Sequence, residues 1–431
     1  MKQTKFWKHV FMINPSLKIE NISELITVSG ENGKRRGKAQ GQIDRIKNGL
    51  VLVVGDKIAY AGPADEAPAY ELAADAVVID ATGKTVTPGL IDSHTHLVHG
   101  GSRENELNKK LHGVPYLDIL AQGGGIMYTL TQTKNRTEDE LYDQAVKSVD
   151  QLLSYGVTTV EAKTGYGIDD FATEMKQLNV ADRINKNHPV DIVHTFMAAH
   201  AVPKQYKDNP DEFIDIVIND YLPKIKEDGR AEFCDVFCEE GVFNADQSRR
   251  LLMAAKEYGL IPKIHADEIV ELGGTTVAAD VGAISAEHLI KCSSHGVSEL
   301  KRGDVIANLL PGTSFNMGDG IFAPAREMIE NEVAVAISTD YNPGSCPTEN
   351  IQLCMYLACL NMKMTPEEVL VGVTMNAACA INRQDTIGSL EEGKLADIAI
   401  FNAPNLDYLV YHFGINHTDQ VIKKGKVVYK C

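Results

Sequence analysis

The sequence predicts an α/β fold: a (β/α)8 TIM-like barrel over residues 84–384, with a small β-sandwich domain formed from both termini, residues 1–83 and 385–431. Three observations carry this. Helix-like and strand-like segments alternate through the middle of the chain, the pattern of a parallel sheet. Both ends instead show short strand-like runs punctuated by turn formers. At 431 residues the chain is long enough for one large barrel and a second, smaller domain.

In chain order, residues 25–28, 49–54, 57–60 and 76–80 read as strands, broken at Gly55-Asp56, Gly62-Pro63 and Gly83. Residues 32–42 are polar and glycine-rich and read as a loop. Thr137 caps a helix starting near Glu138, with Glu140 at the capping-box position. That helix reaches about Tyr155, Gly156 stops it, and strand 157–162 follows. Residues 192–197 read as a further strand. Helix 245–258 ends at Gly259 before strand 260–265. Helices 274–281, 296–302 and 324–331 lead into strands 283–289, 304–309 and 333–339. Pro366 suits a first helical position behind Thr365. Residues 396–401 and 420–429 are the C-terminal strand candidates.

Composition narrows the function. The net charge is −17 and the longest basic run is Lys34-Arg35-Arg36, which argues against a nucleic acid partner, because such binding needs lysines and arginines to neutralise phosphates. No apolar stretch approaches the ~18 residues of a membrane span. The first residues lack the apolar core and cleavage site of a signal peptide. The eight cysteines are scattered, as expected of reduced thiols, and a cytoplasmic location is expected. The partner expected is a small-molecule substrate.

In such a barrel, chemistry gathers at the carboxyl ends of the strands. The run Pro88-Gly89-Leu90-Ile91-Asp92-Ser93-His94-Thr95-His96 ends a strand-like segment with two histidines two apart, and so on one face. Other strands end in Ala199-His200, His265-Ala266-Asp267-Glu268, Glu287-His288 and Ser338-Thr339-Asp340. His188, His295 and His417 read as loop residues. His94, His96, His265 and Asp340 form the expected metal set. Three imidazoles and a carboxylate suit one divalent ion, Zn²⁺ or Fe²⁺, with a position left for water. Their spacing places them on barrel strands one, five and eight.

This constellation resembles the amidohydrolase superfamily. The runs Gly100-Gly101-Ser102-Arg103-Glu104-Asn105-Glu106, Lys163-Thr164-Gly165-Tyr166-Gly167, Ala199-His200-Ala201-Val202-Pro203, Leu310-Pro311-Gly312-Thr313 and Thr339-Asp340-Tyr341-Asn342-Pro343-Gly344-Ser345 resemble those of the imidazolonepropionase family, in that family's order. The resemblance implies opening of the ring of 4-imidazolone-5-propanoate by water to give N-formimidoyl-L-glutamate, in L-histidine degradation. It implies that Glu268 contacts the ring and could activate water, a role that Asp340 could share. It places His288 by the developing oxyanion and His200 by the ring or the reacting carbonyl. Which of Glu268, His288 and Asp340 accepts the proton stays open.

A propanoate tail calls for a cation, and Arg103 is the candidate, since guanidinium grips carboxylate through two hydrogen bonds. Its competing role is a salt bridge with Glu104 or Glu106. Tyr166 and Tyr116 could add hydroxyl donors. Asn342, Gly344 and Ser345 resemble the family's binding loop. Lys163 is not expected to bridge two metals, and residues 314–320 depart from the family pattern. A homodimer is compatible with the class. The rival readings are a heterocycle deaminase of the same superfamily and an inactive scaffold.

Overall fold

The computed structural model describes residues 12–30, 32–114 and 124–431. Its strands are β1 (Leu17–Ile22), β2 (Glu24–Ile26), β3 (Arg45–Ile46), β4 (Gly49–Val54), β5 (Lys57–Pro63), β6 (Val77–Asp80), β7 (Thr85–Pro88), β8 (Leu90–Thr95), β9 (Val157–Lys163), β10 (Asp191–Ala199), β11 (Phe233–Cys238), β12 (Ile261–Ala266), β13 (Ser285–His288), β14 (Ile306–Leu309), β15 (Val335–Ile337), β16 (Ile398–Phe401), β17 (Thr418–Lys423) and β18 (Lys426–Lys430).

Strands β8 to β15 lie side by side in sequence order and pair in parallel, with helices in the connections. Backbone bonds close the ring between its first and last strands. Asp340 N–H donates to His94 O at 3.1 Å and His96 N–H to Tyr341 O at 2.8 Å. The side chain of Asp92 accepts from Thr339 N–H at 3.1 Å and from the Thr339 hydroxyl at 2.5 Å. The predicted barrel is therefore present, with separate sheets beside it.

Those sheets have the orders β5-β4-β1-β6 and β18-β17-β16-β7-β2-β3. The second joins strands from both ends of the chain. Leu17, Ile19, Val51, Val53, Ile398, Ile400 and Ile422 fill one apolar core between them. Gly89 passes the chain from β7 into the barrel. Any Cβ there would strike the Thr158 side chain, so the close approach of β8 to β9 requires glycine.

Local signals predict the helices well. Thr137 and Glu140 form the reciprocal capping box, as do Thr365 and Glu368 behind Pro366. Two expectations need correction. Residues 420–429 are a hairpin rather than one strand, because Lys424 and Gly425 take φ of 49° and 75° and reverse the chain. The fourth barrel strand, β11, is absent from the sequence reading. Its Cys234 and Cys238 are buried, unpaired core residues. Among the described residues, no helix is long and apolar enough to cross a membrane.

Candidate active site

Six strand ends converge at one mouth of the barrel. β8 delivers His94 and, one residue beyond, His96; β12 delivers His265 and β13 His288. Donor atoms of His94, His96 and His265 lie within 4.8 Å of one another, and those of His94, His288 and Asp340 form a second such set. Asp340 Oδ1 is 3.4 Å from His94 Nε2 and 4.0 Å from His96 Nε2. The four metal candidates are thus brought together around His94, and His288 stands among them. All five are buried.

The donor chemistry fits a divalent cation. His94 Nε2 and His265 Nε2 are buried without a hydrogen-bond partner, a costly arrangement unless something else uses the lone pair. Burial drives His94, His96 and His288 well below the ordinary histidine pKa, and neighbouring imidazoles add to the effect. The rings are therefore neutral, the form that ligates metal. Asp340 is raised to about 6 by burial, against the hydroxyl of Thr313, which donates to its Oδ2 at 2.5 Å.

Two of the rings are held from behind at their outer nitrogen. His94 Nδ1–H donates to Glu287 Oε2 at 2.8 Å, and His265 Nδ1–H to Asp235 Oδ1 at 3.1 Å. Such partners fix the tautomer and the ring orientation. Glu287 appears in the sequence reading only as a strand end, and Asp235 not at all. The one available signal is a charged residue inside an otherwise apolar run, Phe233-Cys234-Asp235-Val236-Phe237.

Asp267, His288 and Asp340 all take the left-handed backbone, with φ of 52°, 69° and 58°. For residues with a Cβ this costs about 1–3 kcal/mol each, and such strain collects at functional sites.

His200 lies flat against His96, with ring centroids 4.5 Å apart. Its Nδ1–H donates to Gly165 O at 3.1 Å, which leaves Nε2 with a lone pair. Burial lowers its pKa to about 3. Tyr166 packs against both rings, at 5.6 and 5.5 Å. Glu268 Oε2 is 3.6 Å from His288 Nε2. Burial raises the Glu268 carboxyl to about 8, with the charges of Asp340 and Glu239 adding to it.

Arg103 makes the salt bridge to Glu106, through Nε at 3.2 Å. Its Nη atoms lie over Gly344, where any Cβ would collide with them. Arginine and loop 342–345 therefore form one wall. Asn342 braces that loop: its Oδ1 accepts from Gly344 N–H and Ser345 N–H, each at 2.8 Å, and its Nδ2 donates to Ser345 Oγ at 2.8 Å. Tyr116 lies outside the described residues. Lys163 Nζ donates to Glu161 at 2.9 Å and Asp235 at 2.8 Å. Burial alone would lower its pKa, but the two carboxylates more than offset this and raise it. It is held as an ammonium between them.

Comparison with known proteins agrees with this geometry. Residues 85–428 match the model of the amidohydrolase family. The chain is 57% identical over 410 residues to an imidazolonepropionase of Alkaliphilus metalliredigens, covering 95% of this chain and 97% of that protein. It is 53% identical over 415 residues to one of Fusobacterium nucleatum, covering 96% and 99%. Among solved structures, a 5-methylcytosine deaminase of Klebsiella pneumoniae shares the fold with a TM-score of 0.73 at 18% identity, over 96% of this chain and 98% of that one. A zinc-bound adenosine deaminase of Xanthomonas campestris does so with a TM-score of 0.71 at 17% identity, over 96% and 93%. By sequence, fold and site, the chain belongs to the amidohydrolase family and, within it, to the imidazolonepropionases.

Proposed function

We propose that the protein hydrolyses 4-imidazolone-5-propanoate to N-formimidoyl-L-glutamate, in L-histidine degradation. The observation that carries this reading is the placement of a neutral imidazole and carboxylate cluster next to the wall made by Arg103 and Gly344. Relatives at 50–57% identity with the same named activity support it.

In this reading His94, His96, His265 and Asp340 hold one divalent ion, Zn²⁺ or Fe²⁺. When bound, such an ion lowers the pKa of water and polarises a carbonyl. The chain's own groups do the rest. Arg103 receives the propanoate, and the braced loop 342–345 closes the other side. Tyr166 and His200 flank the ring. Glu268, as the carboxylate, takes the proton from the attacking water and then, as the acid, gives it to the departing ring nitrogen. The C–O bond forms at the ring carbonyl carbon as the C–N bond breaks. His288, neutral and beside Glu268, steadies the oxyanion.

The acidic chain supports the expected lack of a nucleic acid partner. The test is incubation of the purified protein with synthetic imidazolonepropanoate. The expected result is a product heavier by one water, without ammonia. Ammonia release from an exocyclic amine, with the ring kept, would support the deaminase instead. Metal analysis of the active protein distinguishes zinc from iron.

A further inference from the structure

We propose that Lys163 and Lys263 are positioning residues for the metal site, acting through Asp235 and Glu287 on the rings of His265 and His94. The inference rests on the metal-site reading above. Both lysines are almost fully buried in the barrel centre, at 1% and 0% exposure. They belong to an arch of alternating charge beneath the imidazoles. From His265 it runs to Asp235 at 3.1 Å, to Lys163 at 2.8 Å and to Glu161 at 2.9 Å. It continues to Lys263 at 2.7 Å, to Glu287 at 3.6 Å and to His94 at 2.8 Å. Four different strands, β9, β11, β12 and β13, supply the charged members.

An apolar barrel centre would be cheaper to desolvate, so stability does not explain five buried ionisable groups. Their geometry does. Asp235 spends Oδ2 on Lys163 and turns Oδ1 to His265. Glu287 turns Oε2 to His94, while its Oε1 takes the Ser285 hydroxyl at 2.5 Å and faces Lys263. Each carboxylate is thereby held with one oxygen on an Nδ1–H, and each ring presents Nε2 to the cluster. Glu161 ties the two lysines together, so the two ligand rings are set by one connected frame.

The test is Lys163→Met and Lys263→Met, each assayed as purified protein for Zn²⁺ affinity by chelator competition and for histidine tautomers by ¹⁵N NMR of the metal-free chain. We expect metal affinity to fall severalfold, up to the about 10- to 100-fold that loss of a ligand's direct outer partner costs. We also expect the Nδ1–H signal of His265 to change in the first variant and that of His94 in the second. A purely electrostatic role predicts the opposite sign, because removing an ammonium makes the pocket more negative and the cation bind more tightly. A purely structural role lowers the melting temperature and leaves tautomers and affinity alone. Unchanged or tighter metal binding in folded variants overturns the proposal. If the methionine variants do not fold, Lys163→Gln and Lys263→Gln keep a donor in the arch and should show a smaller loss of the same sign; their failure to do so also overturns it. Neither readout uses turnover, so an error in the substrate assignment would leave this result standing.

Discussion

The interior of the barrel and the interior of the terminal sheets are built on opposite terms. Between the sheets, Ile19, Val51, Ile398, Ile400 and Ile422 meet in an apolar cluster, and a buried ion pair beside it, Asp397 with Lys423 at 2.6 Å, lies at the margin where β16 begins and β17 ends. In the barrel centre, Glu161, Lys163, Asp235, Lys263 and Glu287 are all nearly or fully buried. The sheet core contributes stability through area removed from water, roughly 25 cal/mol per Å². The barrel centre gives up part of that gain to hold polar groups in fixed directions. Function here is located where the packing is least economical.

The comparison can be broken at several points. The largest effect is expected at a metal candidate. His265→Ala should lose bound metal by elemental analysis, and activity should fall by about a thousandfold or more, since a cation supplies several kcal/mol of transition-state stabilisation. Glu268→Gln should keep its metal and lose about 10²- to 10⁴-fold in kcat, the range for a group that moves a proton. Arg103→Ala should raise KM with metal content unchanged. A hydrogen bond to a charged group contributes about 1.5–3 kcal/mol, or roughly 10- to 100-fold in kcat/KM. Loss of metal instead would make Arg103 structural.

On the other side of the comparison, Ile400→Ala should cost about 2–5 kcal/mol in denaturant unfolding and leave kcat unchanged. The smallest effect lies at the joint between the two regions. Asp191, at the start of β10, pairs with Lys423 at 2.8 Å and Lys424 at 2.6 Å, at the end of β17 and just past it. Burial would raise the Asp191 carboxyl, but the two ammoniums outweigh it and hold it below the ordinary value. Its contribution to stability is therefore present above the unfolded pKa, ~3.9, and is lost as pH falls through the lower folded value. Lys424→Met, which removes the exposed partner and leaves the buried Lys423–Asp397 pair intact, should move the acid-unfolding midpoint slightly upward, as followed by circular dichroism.

The same contrast explains what was readable in the sequence. Caps such as Thr137 with Glu140 are local signals and are legible three residues apart. The ligand candidates are legible because histidines at strand ends stand out against apolar runs. The frame behind them is not. A charge inside a strand reads as an exposed face under simple alternation, so Glu161 and Lys263 give no hint of burial. Their partners are far away in the chain: Asp235 is 72 residues from Lys163, and Glu287 is 193 from His94. Residues 314–320, read as a departure from the family pattern, touch loop 342–345, where Asn316 Nδ2 donates to Ser345 O at 2.7 Å.

The bare backbone at Gly344 has a practical meaning. A single methyl group there would occupy the resting place of the Arg103 guanidinium and push it off the loop. In the proposed reading, where Arg103 receives the propanoate, one added carbon at position 344 displaces the tail-binding cation, and position 344 is where an engineer seeking neutral heterocycles should begin.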